Sequence, residues 1–95
     1  MTCVHLDGRE IFTRDGLHDA LVRALPLPEW YGRNLDALMD CLTSLPGELS
    51  LHLSGVAALR ERLGPYASAF LRVLRQAEED NPRFHLLIEP SAPCQ

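Results

Sequence analysis

The sequence predicts a two-layer α/β domain: a three-stranded parallel sheet in the order 1-2-3 with four helices, in the chain order βααβααβ. Short stretches that alternate with period two occur at residues 3–7, 49–53 and 84–89. Between them lie two pairs of segments whose apolar residues recur at helical spacing. Strands joined through helices run parallel, and their crossovers are right-handed, so the order 1-2-3 puts both helix pairs on one side of the sheet.

Each element has its own local signal. Cys3-Val4-His5-Leu6-Asp7 alternates and is closed by Gly8, the first strand. From Thr13 the apolar residues Leu17, Ala20, Leu21, Ala24 and Leu25 form one helical stripe, stopped by Pro26 and Pro28. Asn34 is the expected N-cap of the second helix, whose stripe is Leu35, Leu38, Leu42 and Leu45, with Pro46-Gly47 ending it. Leu49, Leu51 and Leu53 alternate with Ser50 and His52 as the second strand. Ser54 is the expected cap of a short helix through Val56, Leu59 and Leu63. Gly64-Pro65 then breaks the chain, with proline suited to a first helical position. Ala67, Phe70, Leu71, Leu74 and Ala77 give the fourth helix its buried face, and Asn81-Pro82 ends it. Residues 84–89 are the third strand.

Strand parity divides the sheet. Val4, Leu6, Leu49, Leu51, Leu53, Phe84, Leu86 and Ile88 share the side toward the helices. The other side carries Cys3, His5, Asp7, Ser50, His52, His85 and Glu89, with Leu87 its apolar exception. Residues 1–90 are expected to form a single domain and 91–95 a frayed tail, since 95 residues leave no room for two cores.

Composition narrows the function classes. The formal net charge is −4, and all nine basic residues are arginines. An acidic chain is a poor candidate for gripping nucleic acid, where affinity rests on cations neutralising phosphates. It is a better candidate for a basic protein partner. Cys3, Cys41 and Cys94 are an odd set without metal or disulfide spacing, which fits reduced thiols in the cytoplasm. No secretory pattern and no membrane-length apolar run is visible, so no membrane role is expected.

The informative stretch is 27–43. Asp36 and Asp40 stand at i and i+4, on the outward face of the second helix. Like charges at that spacing destabilise a helix by roughly 0.2–0.5 kcal/mol. The helix dipole excuses Asp36 in the first turn, but not Asp40. Trp30 and Tyr31 precede the helix, and Gly32 offers a sharp turn. Aromatics beside outward carboxylates suggest a binding epitope. Residues 29–48 hold four acids against Arg33 alone, and 76–81 add Glu78, Glu79 and Asp80. If these segments pack together, they make one acidic patch.

Pro28-x-x-Tyr31-Gly32-x-Asn34-Leu35-Asp36-Ala37-Leu38-x-Asp40-Cys41-Leu42 resembles the signature of the barstar family, intracellular inhibitors of the bacterial ribonuclease barnase. The match is close over this stretch and weaker over the whole layout. The resemblance implies an inhibitor of a small basic ribonuclease that acts by occlusion, is monomeric when free and uses no cofactor. It implies that Asp40 takes the place of an RNA phosphate and that Asp36 pairs with an arginine of the enzyme. Trp30 stands where the family has a tyrosine packed on the enzyme's catalytic histidine. Gly32, Asn34 and Thr43 match contact positions near the backbone. Met39 replaces a common tryptophan, and Gln76, exposed one turn before Asp80, replaces a contacting glutamate.

Other readings have less behind them. His5, His52 and His85 fall at equivalent places on three strands, but neighbouring strands would hold the rings in a line rather than around a metal. His18 reads as a helix-surface residue. Cys41 falls on the buried side of its helix, and two acids on a convex helix make no catalytic cleft, so no enzyme is expected. A toxin–immunity pairing and a barstar-like interaction domain with another basic partner are the alternatives to a barnase-type target.

Overall fold

The computed structural model describes residues 2–29 and 31–88. Strand β1 spans Thr2–Asp7 and leads through a single 3-10 turn at Gly8–Glu10 to helix α1, Arg14–Ala24. Helix α2 covers Leu35–Thr43, strand β2 Leu49–Ser54, α3 Val56–Leu63, α4 Pro65–Asp80 and β3 Phe84–Ile88. The strands pair in parallel in the order β1-β2-β3, as the sequence predicts.

Parity decides what is buried. Leu6, Leu49, Leu51, Leu53 and Phe84 pack with Leu17 and Leu21 of α1, Leu38 and Leu42 of α2, Leu59 of α3, and Phe70 and Leu74 of α4. Each of these side chains contributes about 1.5–3 kcal/mol on leaving water. On the opposite side Cys3 and His5 are exposed and Leu87 is 51% exposed, while Ser50 of the central strand is buried. No helix among the described residues is long and apolar enough to cross a membrane.

Helix α2 packs against α4, which brings the two acidic segments to one side of the molecule. Asn81 ties this arrangement together. Its Nδ2 donates to the carbonyl of Leu42 at 2.8 Å and its Oδ1 accepts from the Arg83 N–H at 3.0 Å. One buried amide thus joins the last turn of α2 to the end of α4 and the start of β3.

Three local expectations are corrected. Ser54 ends β2 and does not cap α3; the N-cap is Gly55, at φ 65°, with no side-chain cap. A side chain there would meet the Arg9 amide and Asp7 carboxylate at 2.8 Å, and one at Gly8 would run into the Gly55 carbonyl. Close approach of the strand ends therefore selects glycine over a capping side chain. Helix α2 ends at Thr43, before Pro46-Gly47, and Leu45 is buried from the following turn instead of from the helix. Finally, the three histidines are not equivalent. His5 pairs with His52, but Leu87 stands beside His52 and His85 beside Ser50, because Phe84 aligns with Leu49. The expected tail lies outside the described residues, as do Glu89 and Cys94.

Candidate docking face

The approach to α2 is fixed from below. His18 is 2% exposed, buried instead of on the helix surface as its sequence suggests. The Tyr31 hydroxyl lies 2.6 Å from its Nδ1 and the Tyr66 hydroxyl 2.7 Å from its Nε2. A neutral imidazole has one donor and one acceptor nitrogen, so one hydroxyl accepts and the other donates. This knot joins α1, the segment before α2, and the first turn of α4. Burial holds the His18 imidazole below its usual 6.5; Arg33 pushes the same way, while Asp15 and Asp19 oppose. Burial likewise pushes the Tyr31 phenol up to about 12, with Tyr66 and Cys41 adding to it.

Tyr31 is therefore a packing residue, its side chain buried and its hydroxyl committed to His18. The sharp turn after it also differs from expectation. Gly32 does not take the left-handed conformation; Arg33 does, at φ 55°. A left-handed backbone is uncommon for a residue with a side chain. Here it is held by the guanidinium, which bonds the Asp19 carboxylate at 2.8 Å and the Asp15 carbonyl at 3.1 Å. Gly32 serves close packing: a Cβ there would lie 3.1 Å from the Asn34 amide. Asn34 is the N-cap as predicted, its Oδ1 accepting from the Ala37 N–H at 2.8 Å.

Above this foundation, nothing among the described residues pairs with the acids on the outer face of α2. Asp36 and Asp40 are both exposed, and neither carboxylate has a hydrogen bond or ion pair among the described residues. Three other acids of the two segments have partners. Glu48 pairs with His85 at 2.8 Å, Glu78 accepts the Leu86 N–H on the β3 edge, and Asp80 accepts from Gln76 at 3.1 Å. Glu29 and Glu79, like Asp36 and Asp40, are exposed without a hydrogen bond or ion pair among the described residues.

The family match settles what this arrangement belongs to. The family described as Barstar (barnase inhibitor) matches residues 1–89. The chain belongs to the barstar family. A Bacillus subtilis (strain 168) protein named "Putative ribonuclease inhibitor YrdF" is 41% identical over 93 residues, covering 94% of this chain and all of that protein.

Within this barstar fold the residues singled out from sequence divide into groups. Asp36 and Met39 on α2 line one groove with Gln76 on α4, so these three come together. Asp80 joins them through its bond to Gln76. Asp40 lies on the other flank of α2, in a shallow depression with Pro26, Pro28 and Ser44. Thr43 is half-buried and its hydroxyl donates to the Met39 carbonyl at 2.8 Å, closing the helix from within. Trp30 lies outside the described residues.

Cys41 is buried as expected. Burial pushes its thiol up, and the Asp40 carboxylate adds to the effect. Sequence reasoning missed His18, Tyr66 and Asn81, the polar residues that hold the helices in place. The one available signal was position: His18 directly follows Leu17 on an amphipathic helix, at the border of its apolar stripe.

Proposed function

We propose that this chain inhibits a small basic ribonuclease by docking the outer face of α2 into its phosphate-binding site, with Asp40 standing in for an RNA phosphate. The observation that carries the reading is the pair of exposed carboxylates on α2, without a partner among the described residues, in a chain of the barstar family. An acid that is left unpaired on a rigid, capped helix is ready to exchange water for cations of a partner. The name of its Bacillus subtilis relative supports the same activity.

In this reading Asp36 meets an arginine of the nuclease, while Gly32, Asn34, Met39, Thr43, Gln76 and Asp80 form the surrounding contact surface. Trp30 packs on the enzyme's catalytic histidine. Tyr31 acts from underneath, holding the segment that presents them. The inhibitor works as a monomer in the cytoplasm, by occlusion and without chemistry of its own. Its target is either a barnase-type enzyme or a toxin nuclease to which it gives immunity.

The test is a titration of RNA cleavage by guanyl-specific microbial ribonucleases with this protein. Cleavage by a target should fall in proportion to added inhibitor and stop at one equivalent. Undiminished cleavage across the panel, at large excess of folded protein, would sink the reading.

A further inference from the structure

The groove between α2 and α4 holds a charge of the wrong sign for a purely acidic docking face. Asp36 and Met39 line it from α2, and Arg72, Val73 and Gln76 from α4. Arg72 is exposed and has no ion pair or hydrogen bond among the described residues, although Asp36 lines the same groove. Its own helix does not neutralise it. The residues one turn away on α4 are Ser68, Ala69, Arg75 and Gln76, none of them an acid. The Gln76 amide is turned to Asp80. Arg33, by contrast, is tethered to Asp19, and Arg14 lies 5.1 Å over the Tyr66 ring. Among the described residues Arg72 is the free cation of this groove.

We propose that Arg72 sets the class of partner: the groove takes a ribonuclease that places a carboxylate opposite Arg72, beside the cations that meet Asp36 and Asp40. This rests on the ribonuclease reading above and narrows it. The groove is partly apolar, with Leu35, Met39 and Val73 among its lining, so docking dries the guanidinium. In that setting a planar guanidinium rewards a carboxylate with two parallel hydrogen bonds. A docking face that is basic throughout would instead bring like charges together, which works as rejection of the wrong partner.

The experiment measures dissociation constants of the full chain for barnase as a basic probe. The variants are Arg72→Ala, Arg72→Glu, Asp40→Ala, and Arg60→Glu on α3 as a control for bulk charge. Removing the rejecting cation should tighten binding roughly tenfold for Arg72→Ala and on the order of 100-fold for Arg72→Glu. Arg60→Glu should change it by less than about threefold, as a distant exposed charge does. If the Arg72 variants bind no tighter than Arg60→Glu while Asp40→Ala weakens binding, the partner class is wrong and the ribonuclease reading survives. If binding is indifferent to Asp40→Ala, the ribonuclease reading itself falls, and this inference with it. Absence of binding by every variant, each folded by circular dichroism, also overturns the proposal, since it requires Arg72→Glu to admit a basic face.

Discussion

Tyr31, Arg33 and Asn34 lead into α2 with every side chain held: a phenol on a buried imidazole, a guanidinium on a carboxylate, an amide on the first helical turn. Immediately beyond them, the same helix presents Asp36 and Asp40 to solvent, with no hydrogen bond or ion pair to either among the described residues. The difference separates two uses of polarity. Partnered groups fix the position of the helix and cannot be removed cheaply from the folded chain. Unpartnered ones add little to folding beyond the dipole's favour for Asp36, and they are available to another molecule.

Asp40→Ala gives the largest expected effect. Binding to a target ribonuclease should weaken by about 2–5 kcal/mol, a range drawn in part from the family's own inhibitor–nuclease complex. Thermal stability should hold or rise slightly, because a like-charged neighbour of Asp36 is removed. Calorimetric titration and a melting curve on the same sample check both. A large drop in melting temperature with unchanged binding would merge the two regions into one structural role.

Tyr31→Phe attacks the partnered side. It removes a hydroxyl and leaves a buried His18 nitrogen without its bond, so unfolding free energy should fall by about 1–3 kcal/mol in urea titrations. Asn81→Ala should cost a similar amount, about 1–3 kcal/mol, through the orphaned end of α2. Either variant, once folded, should inhibit like the parent, because neither touches the outer carboxylates. Inhibition lost at full folding would show that the knot tunes docking directly.

The same knot predicts the pH profile of stability. His18 is held below 6.5 in the folded chain, so the unfolded state takes up its proton first. Its contribution is present above that ordinary value and is lost as pH falls below it. Tyr31 works at the other end. Its phenol is pushed from 10 up to about 12, so its contribution is present below 10 and drains away as pH climbs toward 12. Urea midpoints across pH should therefore decline at both ends, and Tyr31→Phe should flatten the alkaline limb. An unchanged alkaline limb would separate Tyr31 from that loss.

Gln76→Glu carries the smallest effect and sharpens the boundary of the docking face. The new acid faces Asp80 one turn on, where the amide now donates, so folding stability should fall by roughly 0.2–0.5 kcal/mol. Toward a nuclease with a cation opposite, binding should gain about 0–1 kcal/mol, more if the rim is dried on docking. Calorimetry against the same nuclease as for Asp40→Ala measures it. A weakened complex would place Gln76 opposite an acid or outside the footprint.

The sequence by itself determined the layer architecture, the strand order and the outward placement of Asp36 and Asp40. These follow from local periodicity: alternation for strands, a stripe every three or four residues for helices, and a crossover rule for their order. Asn34 was legible too, because capping involves only the first turn it starts. Tertiary structure decided what depends on partners distant in the chain. His18 looks like a surface residue until Tyr31 and Tyr66 close over it from two other elements. Ser54 looks like a cap until the close approach of Gly8 selects Gly55 instead. His85 looks aligned with His52 until the register set by Phe84 and Leu49 shifts it to Ser50. A pattern of period two fixes which side of a sheet a residue takes, but not which neighbour it meets there. That neighbour is chosen by packing between elements, and so is the partner of every charge.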